Sequence, residues 1–265
     1  MKQRIITAVI AAAIFIPIVI YGNIPFIILS YLMGTVAIYE LLRMRKISIV
    51  SFQGIISVLL LWIILIPKQY INVIENLGYS KLEYIFIAIL LFLVITVITK
   101  NKTTFDDISF LLLTVLYVGM GIYYFIETRE TGGLTYILYS LFIIWATDSG
   151  AYFIGRSMGK RKLWPEISPN KTIEGAVGGV VCAVVVGILF HFFSNIDVSI
   201  GKLLFVSAVL AIFGQIGDLA ESAYKRHYGV KDSGKILPGH GGILDRFDSL
   251  LFVWPLLHIL HIVGN

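Results

Sequence analysis

The 265-residue chain is 58% hydrophobic and only 14% charged, which excludes an ordinary soluble domain. Its net charge of +5 is explained by the basic loops described below and asks for no nucleic-acid partner. A single cysteine, Cys182, leaves no intrachain disulfide to form.

Nine apolar windows follow one another, at about 5–22, 24–42, 48–66, 83–99, 108–126, 134–154, 174–194, 203–220 and 249–264. Each is close to the roughly 17 to 20 residues that cross a hydrocarbon core. Helices are the expected form, because backbone in lipid must satisfy its own hydrogen bonds. No segment alternates with period two, which argues against a barrel. The fold class predicted is an all-α polytopic integral membrane protein with about nine transmembrane helices. The opening stretch has a basic start and an apolar run but no A-x-A-like cleavage site, so a retained first helix is expected.

The basic residues orient these segments. If the N-terminus and every second loop share a side, that side holds seventeen Lys and Arg, from Lys2, Arg4 and Arg43 to Lys235 and Arg246. The other side holds four: Lys68, Lys81, Arg129 and Lys202. The positive-inside rule makes the first side cytoplasmic, with the C-terminus outside.

Residues 1–130 read as a scaffold of about five apolar helices. Glu40 adjoins Arg43 there and reads as a local ion pair at a helix end. Residues 131–265 are different, with two polar blocks at cytoplasmic loops, 145–179 and 214–250. Asp148 and Asp218 fall inside or at the end of apolar segments, where an ionisable group usually faces protein or a wet cavity. A helix continued to Arg226 puts Asp218, Glu221, Ser222 and Lys225 on one face. Asp245 and Asp248, three apart, open the last helix behind Gly239, Gly241 and Gly242, a bare turn whose N–H groups suit a phosphate. In the first block, Ser168-Pro169 reads as a cap and first turn, with Asn170, Lys171, Thr172 and Glu174 in the opening turns of the seventh helix. Gly175 and Gly179 read as a helix-packing pair.

Carboxylates from two helices beside a glycine turn and several cations suit Mg²⁺ and phosphate oxygens. The chemistry indicated is phosphoryl or nucleotidyl transfer at the cytoplasmic membrane surface. An ion-coupled secondary transporter, with the intramembrane acids as cation sites, is the alternative from another class. A P-loop, an H-E-x-x-H helix and a CxxC pair are all absent from the sequence.

The stretch "SAYKRHYGVKDSGKILPGHGGILDRFD", residues 222–248, resembles the signature of the phosphatidate cytidylyltransferases, also called CDP-diacylglycerol synthases. "DSGAYFIGR", "GKRKL" and "ISPNKTIEGAVGG" in the first block are similar as well. The resemblance covers about residues 145–250 and departs at Tyr224, where that family more often has an aliphatic residue or Phe. It implies transfer of the cytidylyl group of CTP to phosphatidate, with Mg²⁺, a second, monovalent cation such as K⁺, and a homodimer in a plasma membrane. Carried over, it implies Asp218, Asp245 and Asp248 as metal ligands and Lys225 and Arg246 as further catalytic groups. It also implies substrate contacts from Asp148, Ser168, Lys171, Thr172, Glu174, Ser222, Arg226, Lys231, His240, Gly241 and Gly242. On this reading Asp245→Asn abolishes turnover in a folded protein.

Overall fold

A computed structural model describes residues 2–264 of the chain. The side chains of Lys2 and Arg4, two of the charges used above for orientation, lie outside the described residues. Among the described residues there are ten α-helices: α1 (Lys2–Tyr21), α2 (Asn23–Met44), α3 (Phe52–Ile64), α4 (Asn72–Glu75), α5 (Lys81–Ile98), α6 (Phe105–Thr131), α7 (Gly133–Met158), α8 (Ile173–Phe193), α9 (Ile200–His227) and α10 (Leu244–Ile259). The nine apolar windows fall on these helices, α4 being a single extra turn.

Six helices, α2 and α5 to α9, are long and apolar enough to cross a membrane. A seventh span exists if α3 is counted together with the short helical turns after it, from which it is bent by 98°. Pro67, extended at φ −65° and ψ 156°, ends the α3 segment, because its ring and missing N–H cannot continue the helix. The 20-residue α1 carries an apolar stretch at Ile6–Tyr21, and α10, at 16 residues, is shorter than a full crossing. Among the described residues, helix length and composition support six or seven of the nine crossings expected.

The helices nevertheless run alternately between two ends of the bundle. At one end Arg45, after α2, pairs with Asp107 at the start of α6 at 2.8 Å and donates to the Tyr228 hydroxyl, after α9, at 3.3 Å. At the other, Arg129 near the end of α6 donates to the Val19 and Ile20 carbonyls of α1, and Lys202 near the start of α9 donates to the His261 carbonyl beyond α10. The core between them is aliphatic and aromatic, with Trp254 of α10 stacked on Phe125 of α6 at 4.1 Å.

Small residues set the closest helix approaches. A Cβ on Gly179 would sit 2.7 Å from the Thr147 carbonyl oxygen, and one on Gly175 2.6 Å from that of Ala151. The glycine pair read from the sequence is thus the face by which α8 lies on α7. Gly217 does the same for α9 against α10, where a Cβ would meet the Asp248 carbonyl oxygen at 2.7 Å. Gly217→Leu is expected to force α10 away at Asp248 and to destabilise the protein by about 1–3 kcal/mol. A thermal unfolding scan in detergent checks this, an unchanged midpoint being the contrary result.

The segment before α8 differs from the expected helical start. Ser168–Thr172 is a strand, β2, paired antiparallel with β1 (Lys162–Trp164), and α8 begins at Ile173. The cap is Thr172, whose hydroxyl accepts from the Gly175 N–H at 3.1 Å. Thr and Gly at that spacing satisfy one of the helix's orphan donors. Pro169 fits a short outer strand as readily as a first helical turn.

Candidate active site

Two cavities open at the end of the bundle that carries Arg45 and Asp107. The first, about 430 Å³, lies between α7, β2, α8 and α9 and is lined by Asp148, Tyr152, Arg156, Lys171, Gln215 and Asp218. The second, about 600 Å³, is lined by Lys231, Asp232, Lys235, His240, Gly241 and Arg246. Ser168, Glu174, Ser222, Arg226 and Gly242, expected among the substrate contacts, line neither. Glu174 instead accepts from the Lys160 and Arg161 N–H groups at 3.1 and 3.2 Å and holds the turn after α7. Arg226 donates to the Ile167 carbonyl at 3.3 Å.

In the first cavity Lys171, projecting from β2, donates to Asp218 Oδ2 at 2.6 Å, and Ser222 donates to Oδ1 at 3.3 Å. The helical face expected on α9 is present, since Glu221 and Lys225, one turn further, pair at 2.6 Å. Asp148 on α7 and Asp248 on α10 lie within electrostatic range of Asp218. Gly217 permits this by letting α10 come close. Asp248 Oδ1 accepts from the Ser249 N–H at 2.7 Å, and Oδ2 has no hydrogen-bond partner among the described residues.

Asp245 points elsewhere. Its Oδ2 accepts from the Ser233 N–H, the Ser233 hydroxyl and the Gly242 N–H, each at 2.8 Å, and its Oδ1 from Lys225 at 2.7 Å. Its side chain is 5% exposed. This carboxylate caps the turn into α10 and ties the turn to α9. The glycine turn is formed as expected, with Gly239 and Gly241 at φ +79° and +84°. Its N–H groups are partly spent, however: Gly242 donates to Asp245, and His240 donates to the Leu237 carbonyl at 2.8 Å.

Glu40 is the residue that the sequence reading missed. It does not pair with Arg43 among the described residues. It is fully buried and accepts from the Ser233 hydroxyl at 2.9 Å and from the Ile243 and Leu244 N–H groups at 3.0 and 2.9 Å. Gly234 and Gly242 make room for it, since a Cβ on either would collide with its carboxyl group. An acid from the N-terminal helices therefore supplies the acceptor for two orphan N–H groups at the start of α10. The only sequence cue was an acid in a largely apolar helix.

The donor set suits a hard cation in a limited form. Among the described residues no group of three or more His, Cys, Asp or Glu side chains is close enough to hold a metal ion. Mg²⁺, however, is commonly held by one or two carboxylates with substrate phosphates and water completing its shell. Asp218 and Asp248 offer such a pair. Beside them, Glu221 Oε1 and Tyr117 Oη are buried with no hydrogen-bond partner, and both lie within electrostatic range of Asp248. Buried polar atoms left unpaired are costly, and a cation or water between them would satisfy both.

Comparison with known proteins places the chain in a family. Residues 2–263 match the model of the cytidylyltransferase family. The chain is 56% identical over 262 residues to the phosphatidate cytidylyltransferase of Bacillus subtilis strain 168, covering 98% of this chain and 97% of the relative. It is 50% identical over 260 residues to the enzyme of that name from Staphylococcus haemolyticus and 48% over 263 residues to that from Staphylococcus aureus strain COL, with 98% of each chain covered. The chain belongs to the cytidylyltransferase family and is a nucleotidyl-transferring enzyme.

Proposed function

We propose that the protein transfers the cytidylyl group of CTP to phosphatidate, giving CDP-diacylglycerol and pyrophosphate. The observation that carries this is the meeting of Asp148, Asp218 and Lys171 at a cavity within a bundle of apolar helices, with Asp248 within electrostatic range. A phosphatidate phosphate oxygen attacks the α-phosphorus of CTP, and the bond to the β-phosphate oxygen breaks. The nucleophile is already anionic near neutral pH, so alignment and charge neutralisation carry the catalysis.

Lys171 is placed to exchange Asp218 for a substrate phosphate, and Arg156 lines the same cavity. Lys231, Lys235 and Arg246 give the neighbouring pocket the charge to hold a second phosphate group. Asp218 and Asp248 are the proposed Mg²⁺ ligands, with Asp245 holding Lys225 beside them instead of ligating as the resemblance implied, and Glu221 and Tyr117 the surroundings of a monovalent cation such as K⁺. Bound there, Mg²⁺ supplies charge neutralisation and orientation to the triphosphate.

The site is proposed to face the cytoplasm of a bacterial plasma membrane, and the enzyme to work as a homodimer. Supporting the orientation, the loops rich in Lys and Arg gather at the end that holds both cavities. A cysteine at position 160, in a chain lacking Cys182, is expected to stay unlabelled by an impermeant thiol reagent in intact cells. Labelling there would reverse the orientation.

The reaction is tested with purified protein in mixed micelles containing phosphatidate, Mg²⁺ and CTP labelled at the α-phosphate. Label should enter the lipid phase only when all three are present, and not from the other nucleotides. Gradient-driven uptake of a solute without CTP consumption would instead establish the transporter alternative.

A further inference from the structure

An apolar groove of about 380 Å³ runs beside the basic pocket, between α1, α2, α7 and the start of α10. Its floor is made of small side chains of α1, Ala8, Ala11 and Ala12, and its walls include Met33, Trp145 and Phe247. Phe15, at its inner end, sits 5.6 Å from Phe247 and 6.3 Å from Phe125, so α1 touches the bundle through large rings while its alanines leave a gap. Ile14 on the rim is 55% exposed, which places the groove on the lipid-facing side.

One feature separates this groove from an ordinary furrow between membrane helices. Leu237, His240 and Arg246 line both it and the basic pocket, so the two adjoin at these side chains. At that junction His240 Nδ1 is buried with no hydrogen-bond partner, and Arg246, exposed, spends only its Nε on the His240 carbonyl at 3.0 Å. The apolar groove beyond α2, lined by Ile27, Tyr31 and Trp62, meets no cation at all. A molecule that occupies the groove and reaches this junction has an aliphatic chain at one end and an anionic group at the other.

We propose that this groove seats an acyl chain of the lipid substrate, with the headgroup phosphate at Arg246 and His240. The proposal rests on the cytidylyl-transfer reading for the identity of the lipid. It gives α1, whose sequence carries no catalytic group, a part in substrate binding. The bilayer supplies the lipid sideways, along α1, while CTP enters from the aqueous end.

The test has a binding arm and a kinetic arm. Phosphatidate carrying a diazirine on its acyl chain is photolysed with the protein in nanodiscs, beside phosphatidylcholine carrying the same chain. Labelling of α1, Trp145 and Phe247 by the phosphatidate probe well above that by the neutral lipid is expected. Ala11→Phe, which fills the groove, should remove the excess. Equal labelling by the two probes, or labelling confined to other helices, would overturn the proposal, and this arm needs no turnover. In the kinetic arm Ala11→Phe should raise KM for dioleoyl phosphatidate about tenfold more than for dihexanoyl phosphatidate. Equal changes for both substrates would overturn it too. A wild-type protein that labels as expected yet transfers no cytidylyl group would defeat the proposed reaction and leave the lipid seat standing.

Discussion

Asp218→Asn is expected to lower cytidylyl transfer by on the order of a hundredfold to a thousandfold, with little change in stability. The carboxylate and its Lys171 partner are about a third exposed, at 33% and 27%. A pair so open to water contributes only about 0–1 kcal/mol. Loss of activity in this variant therefore reports on the chemistry and not on unfolding. The check is turnover of α-labelled CTP with a Mg²⁺ titration, beside the yield of folded protein from membranes. Turnover near wild type at ordinary Mg²⁺ would remove Asp218 from the proposed cation site. Asp245→Asn, attractive from the sequence, is the poorer experiment. That group is 5% exposed and holds Lys225, Ser233 and Gly242, and breaking a buried ion pair costs about 3–5 kcal/mol. Its activity loss would mix chemistry with a loosened turn.

Glu40→Ala should be as damaging to the site by another route. Two donors, the N–H groups of Ile243 and Leu244, lose their acceptor inside the protein, while the Ser233 hydroxyl keeps Asp245 Oδ2. Each unsatisfied buried donor costs about 1–3 kcal/mol, so the first turn of α10 is expected to loosen, and Asp245 and Asp248 with it. Transfer should fall at least about tenfold, with a lower unfolding midpoint, if a shift of roughly one angstrom at the reacting groups matters as it does elsewhere. Glu40→Gln keeps an acceptor of the same reach and should recover part of both. A Glu40→Ala protein with wild-type turnover and stability would mean the turn holds itself.

These two residues mark what could and could not be read from the chain alone. Asp218 was visible because a carboxylate in an apolar helix is costly, and because Ser222 follows at a spacing that must share its face. Glu221 and Lys225 were legible for the same local reason, and the glycines before α10 indicated a turn. Glu40 looked like half of a local ion pair. Its true partners lie 193 to 204 residues further on, and helical periodicity carries no information about such pairings. The β1–β2 hairpin was hidden differently: Ser168-Pro169 satisfies the rules for a helix start, and only pairing with Lys162–Trp164 decides between the forms. Asp245 was read as a ligand because of its type. That it also spends itself on a cap depends on the path of the turn, not on the spacing of the acids. The apolar windows marked nine helices, yet their lengths after folding leave α3 and α10 short, which hydropathy averaged over a window smooths away.

The bond between Glu40 and Leu244 also orders events during synthesis. Helix α2 leaves the ribosome well before α10, and its buried acid then has no donors to serve until some 193 to 204 further residues have followed. During that interval the uncompleted protein carries a carboxylate in the membrane with nothing to receive, and the substrate pockets have only part of their walls. The stretch from Ser233 to Asp248 closes both gaps at once. Chains that stop before it should thus be catalytically silent, because the acid of α2 and the start of α10 complete the site only together.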